Sequence, residues 1–152
     1  MELELGYGRG SQQLSVPDRN LLEVLLPNRV PLERGAEEAV RWALEHPVGS
    51  PRLRDIVRPG ETVALITSDI TRPVPTWAIA PAVLEELYAA GVSPQDVTLV
   101  FGLGSHRGHT EAERARLAGE RVYREVRCVD SDPDDCVRLG VTRRGTPVDI
   151  TR

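Results

Sequence analysis

The residues of this chain that could do chemistry gather in two short polar loops. The first, Ser68-Asp69-Ile70-Thr71-Arg72-Pro73, places a carboxylate, a hydroxyl and a guanidinium within four positions. A carboxylate such as Asp69 can hold a sugar hydroxyl or orient an imidazole, and Arg72 can grip a phosphate or carboxylate through its paired donors. Alternatively, Asp69 and Arg72 pair with each other and close their own turn. The second loop, Gly102-Leu103-Gly104-Ser105-His106-Arg107, combines glycines with a base. Gly102 and Gly104 let backbone approach a ligand, and a helix beginning just beyond offers its amino end to an anion; the plainer alternative is a tight chain reversal. The dinucleotide fingerprint G-x-G-x-x-G is narrowly missed, because Arg107 occupies the third position and Gly108 comes one residue late. His106 suits proton abstraction, for instance from a hydroxyl, and the adjacent positive charge of Arg107 favours the neutral, accepting form. His109 reads as the first turn of the following helix, and His46 as an exposed cation at a helix end.

The elements that must position these loops follow from periodicity. Val63-Ala64-Leu65-Ile66-Thr67 and Val97-Thr98-Leu99-Val100-Phe101 are apolar runs that read as buried strands, each emptying into one of the two loops. Between them Val83, Leu84, Leu87 and Tyr88 form a helical stripe, with Pro81 near its start and Gly91 as the residue that stops it. Thr110-Glu111-Ala112-Glu113 is a capping-box pattern that opens a helix reaching about Ala118, and a third strand is expected within Arg121 to Val129. Parallel neighbouring strands joined by right-handed crossovers would turn Asp69, Arg72 and His106 toward one crevice, outside the carboxyl ends of the sheet. Around this core, Leu3–Tyr7 with Gln12–Val16 and Val137–Val141 with Pro147–Ile150 read as hairpins, and Gly35–Glu45 as a helix ended by Pro47. The fold class is therefore α/β: a Rossmann-like parallel core, β-α-β-α-β, flanked by N- and C-terminal β-hairpins.

Composition narrows the partners. The chain has 152 residues, 40% of them hydrophobic, enough for one domain with a real core. A net charge of −4 draws neither nucleic acid nor an anionic membrane, so any anion must be held locally. No apolar run is long enough to span a bilayer and the acidic start lacks the layout of a secretory signal, so the expected location is cytoplasmic. All 19 basic residues are arginine, which excludes lysine-based covalent chemistry within these residues. The spacing of Cys128 and Cys136 fits no tight zinc or redox motif, and they read as reduced thiols. Asp130, Asp132, Asp134 and Asp135 lack the ligand order of a calcium loop and read as a solvated turn; no metal site is expected.

Taken together, the motifs resemble the nickel-dependent lactate racemase family. The resemblance rests on Tyr7-Gly8, Leu14-Ser15-Val16-Pro17, Ala43-Leu44 through Pro47-Val48-Gly49-Ser50, the two loops above, and Leu139-Gly140-Val141-Thr142 with Gly145-Thr146-Pro147-Val148, in the family's order. It implies that residues 1–152 are the N-terminal domain of a racemase or epimerase of small 2-hydroxy acids that uses a nickel-pincer nucleotide. It implies that His106 is one of two histidines exchanging a proton with the substrate hydroxyl, and that Asp69, Thr71, Arg72, Gly104, Ser105 and Arg107 contact cofactor or substrate. The family's second catalytic histidine, covalent lysine and nickel ligand lie beyond these residues, in a C-terminal domain or partner chain, so the 152 residues alone are expected to be inactive. Two departures stand out: Ser105 replaces the family's threonine, and a histidine–aspartate pair common after the third strand is replaced by Asp130-Ser131-Asp132. The competing expectation is a stand-alone nucleotide-binding or regulatory module without catalysis.

Overall fold

A computed structural model describes residues 1–31, 33–72 and 74–152. The chain divides into two compact units, Met1–Glu33 and Arg34–Arg152. In the first, β1 (Glu2–Tyr7) and β2 (Gly10–Ser15) form an antiparallel hairpin in which Tyr7 faces Gly10. A two-residue connection requires a positive φ that glycine supplies, and Gly8 has φ 60°. The Met1 ammonium closes the open end by donating to the Val16 carbonyl at 2.8 Å and to Asp18 at 2.7 Å.

The second unit carries the parallel sheet. Its elements are α1 (Ala36–Glu45), α2 (Leu53–Ile56), β3 (Val63–Ser68), α3 (Thr76–Ala89), β4 (Val97–Gly102), α4 (Glu111–Ala118), α5 (Glu120–Glu125), β5 (Arg127–Asp130), β6 (Cys136–Val141) and β7 (Pro147–Thr151). The order β3-β4-β5 is parallel throughout and β6 pairs antiparallel with β7, so the α/β core and both hairpins are present. One face of the sheet is closed by helices. Val97, Leu99 and Phe101 of β4 point into a core completed by Ala80, Leu84 and Leu87 of α3, Ala118 of α4 and Val122 of α5. The other face is less covered, and Ile66 is 73% exposed. Beneath α3, the buried carboxylate of Glu86 receives hydrogen bonds from Arg52 at 2.7 Å and from Arg54, tying α2 to the core.

Two boundaries differ from expectation. The helix α3 begins at Thr76, five residues before Pro81, which sits inside it. Proline cannot donate to the carbonyl four residues back, that of Trp77, so the helix continues through Pro81 with one bond missing. Residues 120–125, expected to lead straight into a strand, form α5, and β5 begins only at Arg127. Gly119, with φ 82°, makes this possible: it ends α4 and starts α5 without a spacer, its Cα packed against Trp77. Gly91 stops α3 as expected, with φ 87° and the Val92 N–H reaching back to the Leu87 carbonyl at 3.1 Å.

Candidate functional site

The register that pairs Ser68 with Gly102 fixes where the two loops depart: the last residues of β3 and β4 lie side by side on adjacent parallel strands. Both loops therefore leave from the same end of the sheet, and Asp69 and His106 meet across the gap. His106 Nδ1–H donates to Asp69 Oδ2 at 2.5 Å, which leaves Nε2 as the free nitrogen of an imidazole whose side chain is 46% exposed. Asp69 itself is buried, and its other oxygen accepts from the Thr71 hydroxyl at 2.7 Å and the Thr71 N–H at 3.1 Å. These Thr71 donors first, and His106 second, outweigh burial and hold the Asp69 carboxyl below the usual carboxylate range. A buried carboxylate that orients an exposed imidazole is an arrangement suited to general base and general acid work.

The alternative, an Asp69–Arg72 ion pair, is not formed. Arg72 donates its backbone N–H to the Asp69 carbonyl at 3.1 Å, closing the turn, while its exposed guanidinium has no ion-pair partner among the described residues. Arg72 lines an open cleft of about 700 Å³ with Ile70, Val74, Trp77, Arg116 and Leu117. A free cation on the rim of a partly apolar cleft suits an anionic ligand with an apolar body. Pro73 lies outside the described residues.

In the second loop Gly104 has φ 58° and reverses the chain in a conformation that a side chain would strain, and Gly104 and Ser105 are exposed. Arg107 is engaged outside its own loop. Its guanidinium forms a two-pronged pair with Glu113, at 2.8 and 2.9 Å, pinning the loop to the first turn of α4. The pair, reinforced by the Thr110 backbone N–H, brings Glu113 down to about 2. The expected capping box is present, with Glu113 donating its N–H to the Thr110 hydroxyl and accepting from the Thr110 N–H.

One functional candidate was missed. His109 precedes the N-cap of α4 instead of lying in its first turn, and its side chain is fully buried. Nδ1–H donates to Asp130 at 2.6 Å, and Nε2 accepts the Ile70 N–H at 3.0 Å. Asp130 is likewise not part of a solvated turn. It ends β5 and receives the His109 backbone N–H at 2.7 Å and Arg114 at 3.3 Å; burial opposes its charge, but these donors hold its carboxyl below the usual range. The available signal was position: Asp130 pairs in register with Phe101, so the end of the third strand reaches the same crevice. The remaining titratable groups stand apart: Cys128 is half-buried and pushed up to about 11 by burial, Cys136 is an exposed thiol, and His46 is stacked on Trp42. Among the described residues no cluster of histidine, cysteine, aspartate and glutamate could hold a metal, and no helix is long and apolar enough to cross a membrane.

Comparison with known proteins gives this geometry a context. Residues 7–152 match the family model described as the lactate racemase N-terminal domain. The lactate racemase of Thermoanaerobacterium thermosaccharolyticum is 30% identical over 132 residues, covering 86% of this chain and 31% of that protein. The lactate racemase of Lactiplantibacillus plantarum is 26% identical over 143 residues, covering 91% and 34% respectively. The solved structure of the lactate racemase apoprotein from T. thermosaccharolyticum superposes with a TM-score of 0.78 at 27% identity, over 99% of this chain and 36% of that one. The chain thus spans about a third of the length of the curated relatives it matches.

Proposed function

Because the chain belongs to the lactate racemase N-terminal domain family, we propose that residues 1–152 serve as the N-terminal domain of a 2-hydroxy acid racemase or epimerase. The observation that carries this reading is the buried Asp69 carboxylate holding an exposed His106 by Nδ1 at 2.5 Å. A module that only binds nucleotide has no need of an imidazole oriented in this way.

In this reading His106 Nε2 accepts the hydroxyl proton of a small 2-hydroxy acid and later returns it, while Asp69 keeps the ring in the required tautomer and stabilises its protonated form. Arg72, which has no carboxylate partner among the described residues, holds an anionic group, and the cleft beside it takes the apolar remainder. The exposed backbone of Gly104 and Ser105, with Thr71 and the Glu113-paired Arg107, completes the binding set. These residues fit the anionic part of a nickel-pincer nucleotide, since they combine an uncompensated guanidinium with an open glycine turn. When bound, that group supplies the hydride-accepting chemistry at the substrate C2. The chain contains no lysine and, among its described residues, no metal-ligating cluster, so covalent attachment and nickel ligation fall to the part of the relatives it does not cover. On its own it is expected to be catalytically silent, its partners being the 2-hydroxy acid and that remaining part.

The test is a single variant in a form that includes the rest of the family's length. His106→Ala should lower racemisation by ~10²–10⁴, the usual cost of a lost general base, with bound nickel and nucleotide retained. Racemisation within a few-fold of the parent would sink the assignment. Loss of nickel or nucleotide would mean that His106 anchors the cofactor instead of moving a proton.

A further inference from the structure

We infer that His109 is a positioning residue for the proposed proton transfer: through Nε2 it fixes the backbone of the Asp69 loop and so sets the Asp69–His106 contact. The inference rests on the reading of His106 as the proton-moving group, and it assigns a role to a histidine that would touch neither substrate nor cofactor.

The argument begins with what holds the loop. Asp69 to Arg72 is braced internally by the Thr71 donors to Asp69 and by the Arg72 N–H to the Asp69 carbonyl at 3.1 Å. The side chains that tie these four residues to the rest of the unit are the two imidazoles: His106 Nδ1 meets Asp69 at 2.5 Å and the Thr71 hydroxyl at 3.3 Å, and His109 Nε2 accepts the Ile70 N–H at 3.0 Å. Adjacent residues of one turn are thus served by two different imidazoles. His106 is half-exposed and can exchange protons with a ligand, whereas His109 is sealed, its ring edge-on to Phe101 at 5.4 Å.

The chemistry of His109 is fixed from both sides. An amide N–H must be accepted, so Nε2 carries no proton; a carboxylate must be donated to, so Nδ1 does. Asp130 makes this tautomer obligatory, and Arg114 secures Asp130 at 3.3 Å and the His109 carbonyl at 3.1 Å. These are the charged groups that face the ring, one from β5 and one from α4. The result is a relay of position running from Arg114 through Asp130 and His109 to the Ile70 amide. Asp69 is the next residue, and its contact with His106 at 2.5 Å tolerates little displacement. Misplacing a catalytic group by about 1 Å costs on the order of a hundredfold in rate.

The 152-residue chain, labelled uniformly with ¹⁵N, allows a test without substrate, cofactor or turnover, so the outcome is separable from that of the racemase reading. In the parent, His109 should show the signature of a ring protonated at Nδ1 and bare at Nε2, and His106 that of a ring donating through Nδ1. His109→Phe preserves a buried ring but offers no acceptor; His109→Gln offers an oxygen to Ile70. The phenylalanine variant should exchange its Ile70 amide at least about tenfold faster and lose the His106 signature, while the glutamine variant keeps both. A parent His109 protonated at Nε2 overturns the inference. So does a His106 signature that is unmoved in both variants, or changed equally in both, because His109 would then act by packing alone. Should the phenylalanine variant fail to fold, the parent tautomer and the glutamine variant decide: a glutamine chain that loses the His106 signature is a refutation.

Discussion

Asp69→Asn is the substitution that separates orientation of His106 from mere occupancy of the site. Asparagine matches aspartate in shape but has one oxygen and one NH₂ in place of two oxygens, and its direction is set by Thr71. The Thr71 N–H and hydroxyl both donate to Oδ1, at 3.1 and 2.7 Å, so the amide oxygen must face them. The NH₂ then faces His106 Nδ1, where the parent has an accepting oxygen. A donor there forces the imidazole proton onto Nε2, the nitrogen that must be bare to accept from substrate. A charge-assisted hydrogen bond of this kind biases the tautomer by roughly 10- to 150-fold, so inverting it should reduce the reactive form by at least that factor. In a racemase that includes the rest of the family's length, kcat should fall by at least about tenfold with KM little changed. In the 152-residue chain, ¹⁵N spectra should show His106 moving from the Nδ1–H to the Nε2–H form while the fold persists. A kcat within about threefold of the parent, or a loss expressed wholly in KM, would refute the assignment of Asp69 as the group that orients the base.

Two further outcomes follow from the same structure. Arg72→Ala should weaken binding of a pyridinium mononucleotide to the 152-residue chain by at least about tenfold by calorimetry, because a guanidinium without a carboxylate partner is removed; unchanged binding would place the anion site elsewhere. Glu86, held near 2 by Arg54 and Arg52 against an ordinary value of 4.5, contributes stability that is complete above about pH 4.5 and lost as pH falls toward 2. That contribution is on the order of 2–3 kcal/mol after allowance for the partly exposed Arg54, so Glu86→Gln should flatten the acid limb of stability measured by urea denaturation.

How far the sequence speaks for the fold and the site depends on the range of the interaction involved. The two loops were legible because each follows an apolar run that reads as a strand, although only β4 proves buried and β3 is half-covered, and the capping box at Thr110 declared the start of α4 locally. Pro81 misled because proline usually marks a first turn, whereas Ala78 and Ala80, buried against the core, extend α3 back toward Thr76. His109 was misread because its partners are remote: Asp130 is 21 residues downstream and Ile70 39 upstream. A residue just before an N-cap looks solvated until the third strand is placed. Arg107 shows how a partner at middle range escapes notice, since its pair with Glu113, six residues on, depends on the first turn of α4 being in place. In space, Asp130 at the end of the third strand does meet a histidine, His109, supplied from the loop after β4.

The pairing of Ser68 with Gly102 has a mechanical consequence. Because the final residues of β3 and β4 lie side by side in register, the strand ends that carry the two loops cannot move apart without fraying the sheet itself. The entropy of bringing base and carboxylate together is spent when the sheet folds, not when a ligand arrives. Admission and exclusion of ligands then fall to whatever forms the roof, and damage to β4 far from the loops, at Leu99 for example, would register as a loosened site before it registered as an unfolded chain.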